Sequence, residues 1–162
     1  MAGRVLKVYL ASSMRGGGGG KGWDYLKDLA AIVESLGHLP MNEVCSDKAP
    51  PVKVRGKGDE YLYDRDMAWL ALADCLVAEI TYPSLGVGYE IAAALREQKI
   101  PVLALYQKSA PELSAMLNGN TDPLFHLQRY TGSEEMKEHV RRFLCKLTNK
   151  RAHTYEKDRS RL

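Results

Sequence analysis

One carboxylate, Glu90, stands where a glycine-containing turn meets a helical segment, and it is the leading candidate for chemistry. The apolar run Cys75–Ile80 before it has the length and character of a buried parallel strand. After that run come Ser84, Gly86 and Gly88, which could offer a hydroxyl group and unobstructed backbone amides. Because a strand, a glycine turn and a helix N-terminus together suit an anion, we predict a phosphate or anion site here.

Two explanations of Glu90 are open on the residues alone. An acid in the first turn of a helix is often a partner of the helix dipole, which is worth only about 0.3–1 kcal/mol. The alternative is a functional carboxylate. In a doubly wound parallel sheet, ligands bind at the switch point, where successive crossovers leave in opposite directions. Glu90 is predicted to lie at that point, which favours the functional interpretation.

A second candidate anion site follows the first predicted strand, residues 4–11. Ser13 and Arg15 come directly before the five glycines 16–20, and Gly16 begins that run. Backbone N–H groups and a guanidinium suit a phosphate, but neither the dinucleotide fingerprint nor a P-loop is present. For Gly18–Gly20, a simple flexible insertion is an equally good explanation.

Glycosyl and acid–base chemistry often require a second carboxylate. Asp64 and Asp66 lie on a predicted helix from Asp59, a candidate N-cap, to Ala73, on different faces of that helix. Pattern alone favours an exposed helical acid at Asp66. Tyr9, near the end of the first strand, is either a core tyrosine or a phenol that orients a carboxylate.

Composition narrows the function classes. Three scattered cysteines indicate free thiols in a reducing compartment, and no apolar run is long enough to span a bilayer. The four histidines show no metal-ligand spacing, and no serine-hydrolase elbow surrounds Ser84. The net charge of +3 belongs to residues 148–162. We expect no membrane or nucleic-acid partner, and a cytoplasmic or nuclear location.

Five predicted strands alternate with helices, which indicates a doubly wound parallel sheet in three α/β/α layers. We expect one catalytic domain over residues 1–147, with a last helix to about Cys145 and a basic, flexible tail over 148–162. Residues 45–58 suggest an exposed loop. A flavodoxin-like strand order would bring the segments 10–20 and 81–90 together at the switch point.

Four blocks of the sequence resemble the 2′-deoxynucleoside 5′-monophosphate N-hydrolases, the Rcl-type glycosidases of the nucleoside 2-deoxyribosyltransferase superfamily. The block that ends at Glu90, Pro-Ser-Leu-Gly-Val-Gly-Tyr-Glu, is the most specific of them. The other three blocks are residues 9–17, 66–74 and 113–116. The resemblance implies cleavage of the N-glycosidic bond of a deoxynucleotide, without metal or cofactor, to free base and 2-deoxyribose 5-phosphate.

The resemblance also implies roles for individual residues. Glu90 would be the nucleophile that forms a covalent glycosyl intermediate, Tyr9 would orient its carboxylate, and Asp66 would contact a sugar hydroxyl or assist departure of the base. The implied phosphate ligands are Ser13, Arg15, Gly16, Ser84, Gly86 and Gly88. Ser114 would reach the phosphate from the neighbouring subunit of a homodimer.

Other functions are compatible with the same residues. A 2-deoxyribosyltransferase would use the same glutamate but pass the sugar to a second base, and a binding module would hold the nucleotide unchanged. The preferred base, and discrimination at the 2′ position, are open at the level of sequence.

Overall fold

The computed structural model describes residues 4–14, 20–45, 47–52 and 56–159, with side chains up to residue 149. Its five strands form one parallel sheet in the order β2-β1-β3-β4-β5. This confirms the doubly wound α/β fold predicted from the sequence. The strands are β1 (Lys7–Ser12), β2 (Leu39–Met41), β3 (Cys75–Glu79), β4 (Val102–Gln107) and β5 (Phe125–Tyr130). The helices are α1 (Lys21–Ser35), α2 (Asp59–Leu72), α3 (Leu85–Ala93), α4 (Ala115–Asn118) and α5 (Ser133–Arg159).

Side-chain alternation along the strands divides the core into two layers. On one face, Tyr9 and Leu76 pack with apolar residues of α2 and α3. On the other face, Leu10 and Val77 pack with residues of α1 and α5. The sheet therefore has helices on both sides. Among the described residues, no helix is both long and apolar enough to cross a membrane.

The centre of the sheet fixes the position of the two candidate turns. β1 and β3 are direct neighbours, and Ser12 lies opposite Glu79 in their register. β2 lies on the other side of β1 from β3. The crossover from β1 to β2 therefore runs one way along the sheet, and the crossover from β2 to β3 runs the other way. The segments after Ser12 and after Glu79 consequently emerge side by side, as the flavodoxin-like order predicted.

Some predicted boundaries are wrong, for identifiable reasons. α3 begins at Leu85, because Ser84 caps it by accepting a hydrogen bond from the Val87 N–H at 3.3 Å. Gly86 and Gly88 therefore lie inside the helix and not in a turn. At α2, Gly58 occupies the N-cap position instead of Asp59.

Two further segments differ from expectation. The last helix extends past Cys145 to Arg159, and the flexible tail at 148–162 stays a prediction. In the predicted exposed loop, Ala49 is buried, and Pro50 accepts a hydrogen bond from the Trp69 indole N–H at 3.0 Å. Composition suggested an exposed segment because it could not reveal these two anchors. Residues 46 and 53–55 of that loop lie outside the described residues.

The first turn of α1 packs directly on the end of β1. A Cβ atom added at Gly22 would lie 1.9 Å from the carbonyl oxygen of Ser13. Backbone atoms cannot retreat as a flexible side chain can. Glycine at position 22 is thus what allows α1 to approach the segment that follows β1.

We predict that Gly22→Ala lowers the free energy of unfolding by about 1–3 kcal/mol, because the methyl group forces two backbone segments apart. Urea unfolding monitored by circular dichroism measures the change. Gly88→Ala is the matched control: a Cβ there meets no atom within 4 Å, and the helix should be unchanged or slightly stabilised. Equal stability of Gly22→Ala and the wild type would contradict the packing described.

Candidate active site

A short hydrogen bond joins β1 to α3. The Tyr9 hydroxyl donates to Oε1 of Glu90 at 2.6 Å, across 81 residues of sequence. Tyr9 is 3% exposed, and Glu90 is partly buried at the same edge of the sheet. Tyr9 therefore fits both interpretations: it is buried in the core, and its hydroxyl contacts a carboxylate.

Glu90 is the sixth residue of α3, beyond the first turn. The interpretation of Glu90 as a simple partner of the helix dipole is therefore wrong, because that effect is confined to the terminal turn. Helical side chains lean toward the N-terminus of their helix. Glu90 can thus reach back toward the switch point while Val87 and Ile91, on neighbouring positions, anchor α3 in the core.

The surroundings of Glu90 favour its protonated form. The pKa of Glu90 is raised to about 7, mainly by burial; the Tyr9 hydrogen bond lowers it, and the nearby Asp66 charge adds to the rise. Burial and the Glu90 charge also raise the pKa of Tyr9 well above its usual value. Tyr9 therefore stays a hydrogen-bond donor while Glu90 titrates near neutral pH.

Asp66 is held by an arginine that sequence reasoning did not single out. Arg65 Nε donates a hydrogen bond to Oδ1 of Asp66 at 3.0 Å, and Arg65 Nη2 forms an ion pair with the same oxygen at 2.9 Å. The Asp66 side chain is 28% exposed, so the prediction of a freely exposed helical acid is wrong. Burial raises the pKa of Asp66, and the Arg65 guanidinium lowers it.

Arg65 itself is 7% exposed, with its guanidinium carbon 4.9 Å from the centre of the Trp69 ring. Its Nη1 lies 3.6 Å from Oε1 of Glu43. Arg65 therefore connects the segment after β2 to the carboxylate of Asp66. Its position next to an acid on a helix gave no signal in the sequence, because burial of a cation cannot be read from charge pattern.

The two predicted anion turns meet, as the strand order required. The Ser13 hydroxyl donates to the carbonyl oxygen of Pro83 at 3.3 Å, and Ser84 follows as the cap of α3. Cβ atoms built at Gly86 and Gly88 come no closer than 3.8 Å to the rest of the chain. The chain's own packing therefore does not require glycine at either position, and both leave open space beside the cap.

The remaining predicted site residues are only partly accounted for. Arg15 and Gly16 lie outside the described residues. Ser114 is the N-cap residue of α4, and its side chain makes no cap hydrogen bond to the helix. It lines a cavity of about 1000 Å³ that Ser84 also lines and whose lining does not include Tyr9 or Glu90.

Two other residues near this region were missed from the sequence. Lys21 lines the same cavity and reaches Tyr82, with Nζ 3.1 Å from the phenol oxygen. Glu79 is a carboxylate inside the apolar run of β3 and is 1% exposed. An acid within a predicted buried strand is a signal that could have drawn attention to Glu79. Among the described residues, no cluster of three or more metal-ligating side chains occurs.

Comparison with known proteins agrees with this fold and identifies a family. No protein-family model matches the chain. A relative from Methanosarcina barkeri, named as a 2′-deoxynucleoside 5′-phosphate N-hydrolase, is 37% identical over 149 residues, covering 89% of this chain and 88% of the relative. A 5-hydroxymethyl-dUMP N-hydrolase from Danio rerio is 34% identical over 131 residues, covering 80% and 90%.

Solved structures share the fold at low sequence identity. A CMP N-glycosidase from Clostridium botulinum superposes with a TM-score of 0.60 at 16% identity, covering 85% of this chain and 98% of that one. A 2-deoxyribosyltransferase from Bacillus psychrosaccharolyticus superposes with a TM-score of 0.55 at 15% identity, covering 81% and 90%. The fold is therefore that of the 2-deoxyribosyltransferase-like α/β proteins.

The family follows from the closer sequence relationships. At 34–37% identity over most of both chains, the chain belongs to the 2′-deoxynucleoside 5′-phosphate N-hydrolase family. The resemblance drawn from the four sequence blocks is thereby confirmed.

The contacts of Glu90 predict opposite effects for its two neighbours. Tyr9→Phe removes a hydrogen bond that favours the carboxylate, so we expect the pKa of Glu90 to rise above about 7. Asp66→Asn removes a negative charge, so the pKa of Glu90 should fall. Nuclear magnetic resonance of side-chain carboxyl carbons in glutamate-labelled protein would follow both titrations. Shifts of the Glu90 pKa in the same direction for the two variants would contradict the opposite effects assigned to Tyr9 and Asp66.

Proposed function

We propose that this protein hydrolyses the N-glycosidic bond of 2′-deoxynucleoside 5′-monophosphates, releasing the base and 2-deoxyribose 5-phosphate. The observation that carries the proposal is the 2.6 Å hydrogen bond from Tyr9 to a partly buried Glu90 at the switch point of the sheet. A carboxylate in this setting suits a reaction that builds positive charge on a sugar.

In the proposed mechanism, Glu90 is the nucleophile. Tyr9 holds Oε1, and Oε2 attacks C1′ as the bond from C1′ to the base nitrogen breaks. The electron pair of that bond leaves with the base, which takes up a proton from solvent. A water molecule then attacks C1′ and gives up one proton to solvent, the ester to Glu90 breaks, and the carboxylate is regenerated.

Asp66 is proposed to act as a carboxylate toward the sugar. Both Arg65 contacts are made to Oδ1, which leaves Oδ2 to accept a hydrogen bond from a sugar hydroxyl. This role uses the oxygen that the Arg65 guanidinium leaves free and, unlike that of an acid for the departing base, requires no proton on Asp66.

The 5′-phosphate is proposed to bind where the two turns meet. The N-terminus of α3, with Ser84, Gly86 and Gly88, would provide hydrogen-bond donors and a favourable dipole. Ser13 adds a hydroxyl at the same point, and Arg15 and Gly16 complete the predicted set. Binding of this remote group would position the sugar over Glu90.

We predict that the purified protein releases free base from at least one deoxynucleoside 5′-monophosphate. The test panel contains the four common deoxynucleotides, CMP and 5-hydroxymethyl-dUMP, because relatives and fold neighbours carry names for hydrolysis of the last two. Chromatography would follow base release. Glu90→Gln should lower kcat by a factor of about a thousand or more, because it removes the nucleophile.

Glu97→Gln is the matched control, since Glu97 is an exposed acid shortly after α3, and its kcat should equal that of the wild type. No base release from any substrate by folded protein would refute the proposed function.

Addition of a second free base to the reaction distinguishes a hydrolase from a transferase. Base exchange on unphosphorylated deoxynucleosides would favour a deoxyribosyltransferase. Nucleotide binding without turnover would favour a binding module.

We propose further that the protein works as a homodimer in which Ser114 of one subunit contacts the phosphate bound to the other. Leu85 and Met116 are 97% and 83% exposed at the rim of the cavity that Ser84 and Ser114 line. Large exposed apolar side chains at the rim of a cavity are typical of an interface between subunits. The symmetry of a dimer would place each Ser114 at the partner's site.

Mixed dimers test this arrangement. Ser114→Ala and Glu90→Gln should each have low activity alone, but a re-equilibrated equimolar mixture should recover about a quarter of wild-type activity. Recovery is expected because one site of each mixed dimer combines an intact Glu90 with an intact Ser114. Sedimentation would establish the dimer. Activity of the mixture equal to the average of the two variants would contradict a shared site.

A further inference from the structure

A second buried carboxylate, Glu79, has no part in the proposed reaction. It is the last residue of β3 and is 1% exposed. Strand alternation places it with Cys75 and Val77, on the α1 and α5 side of the sheet, opposite to the side on which Tyr9 meets Glu90. The hydroxyl of its register partner Ser12 is buried and has no hydrogen-bond partner among the described residues, so that hydroxyl donates no hydrogen bond to Glu79.

Thr81 supplies most of the hydrogen bonds to Glu79. The Thr81 N–H lies 3.3 Å from each carboxylate oxygen of Glu79, and the Thr81 hydroxyl donates to Oε1. From β5, the Tyr130 hydroxyl donates to Oε1 at 2.9 Å. Glu79 therefore accepts hydrogen bonds from the N–H and the hydroxyl of Thr81, the second residue after β3.

The Thr81 hydroxyl is fixed from a second direction. It accepts a hydrogen bond from the N–H of Gln107, at the end of β4, at 3.0 Å. The Gln107 side chain in turn donates to the Tyr25 hydroxyl of α1 at 2.7 Å. Hydrogen bonds from β3 and β4 thus meet at Thr81, the residue at which the chain leaves the sheet toward α3, and Gln107 links this point to α1.

Burial of the Glu79 carboxylate is energetically costly, and these hydrogen bonds offset part of that cost. Within the described residues Glu79 has no ion pair, and burial raises its pKa while its hydrogen bonds lower it. A buried carboxylate without a cation is unfavourable, and an apolar residue at this position would avoid the cost. The core alone therefore does not account for an acid here.

Thr81 begins the short segment that becomes the proposed phosphate turn. Two residues later Pro83 accepts the Ser13 hydrogen bond, and Ser84 then caps α3. Any displacement of Thr81 would therefore move the carbonyl of Pro83 and the hydroxyl of Ser84 together.

We propose that Glu79 is a positioning residue, which acts through Thr81 to hold the turn 81–84 in the geometry that binds the 5′-phosphate. The proposal rests on the proposed function for the identity of the ligand. It assigns Glu79 no contact with substrate. Its effect should therefore appear in binding of the phosphate group and not in the chemical step.

Thr81→Val is the most direct test, because it keeps the shape of the side chain and removes only the hydroxyl. We expect KM for the deoxynucleotide, and the dissociation constant of 2-deoxyribose 5-phosphate measured by calorimetry, to rise about tenfold. We expect kcat to stay within about threefold. Glu79→Leu should act in the same direction and more strongly.

Three variants separate positioning from general stability. Glu79→Gln should bind within about twofold of the wild type, since its amide can accept from the Thr81 N–H and donate to the Thr81 hydroxyl. Tyr130→Phe removes a donor to the same carboxylate without touching Thr81, so it should lower the melting temperature and leave KM unchanged. Val140→Ala, in the same core layer on α5, reports the effect of lost packing alone.

Wild-type affinity for 2-deoxyribose 5-phosphate in folded Thr81→Val would overturn the proposal. An equal loss of affinity in Val140→Ala, at matched stability, would overturn it as well. Calorimetry does not depend on turnover, so these outcomes differ from failure of the proposed function, which would appear as absent base release by the wild-type protein.

Discussion

The hydrogen bond between Tyr9 and Glu90 depends on three features of the fold. It requires β1 and β3 to be neighbours, α3 to begin at Leu85, and α2 to cover the same face of the sheet. A carboxylate at this depth is unfavourable without a donor, and Tyr9 is itself kept protonated by the burial that raises the pKa of Glu90. The two residues therefore stabilise each other in the states that the proposed reaction needs.

Two glutamates within twelve positions illustrate how side-chain direction divides roles. Glu79 points toward α1 and α5, where hydroxyl groups and a backbone N–H surround it. Glu90 lies at the opposite face, where a phenol contacts one oxygen and the Asp66 charge raises its pKa. The proposed nucleophile is thus the acid with fewer donors, which keeps an oxygen available, while the fully bonded acid suits a structural and positioning role.

The sequence predicted the fold and the convergence of the two turns, because both follow from hydrophobic periodicity and from the rules of parallel sheets. It also pointed to Tyr9, Asp66 and Glu90 through their resemblance to a family. It did not reveal Arg65 or Glu79, whose significance lies in burial and in contacts that composition does not encode. The helix boundary at Leu85 was missed because glycines were taken as turn residues, although a serine cap four positions before Gly88 provided the opposite signal.

The placement of Ser84 and Glu90 on one short helix has a consequence for catalysis. Six residues of α-helix span about 9 Å, so the cap that is proposed to bind the phosphate and the carboxylate that is proposed to attack the sugar move as one rigid unit. Phosphate bound at the cap can then position C1′ over Glu90 through a rigid connection, with no conformational entropy lost between these two groups. The geometry of such a site is only as accurate as the direction in which α3 leaves the sheet. Hydrogen bonds from β3 and β4 meet at Thr81, where the chain leaves the sheet toward α3. The proposed positioning role of Glu79 would therefore link a buried carboxylate on one face of the sheet to phosphate binding at the cap of α3.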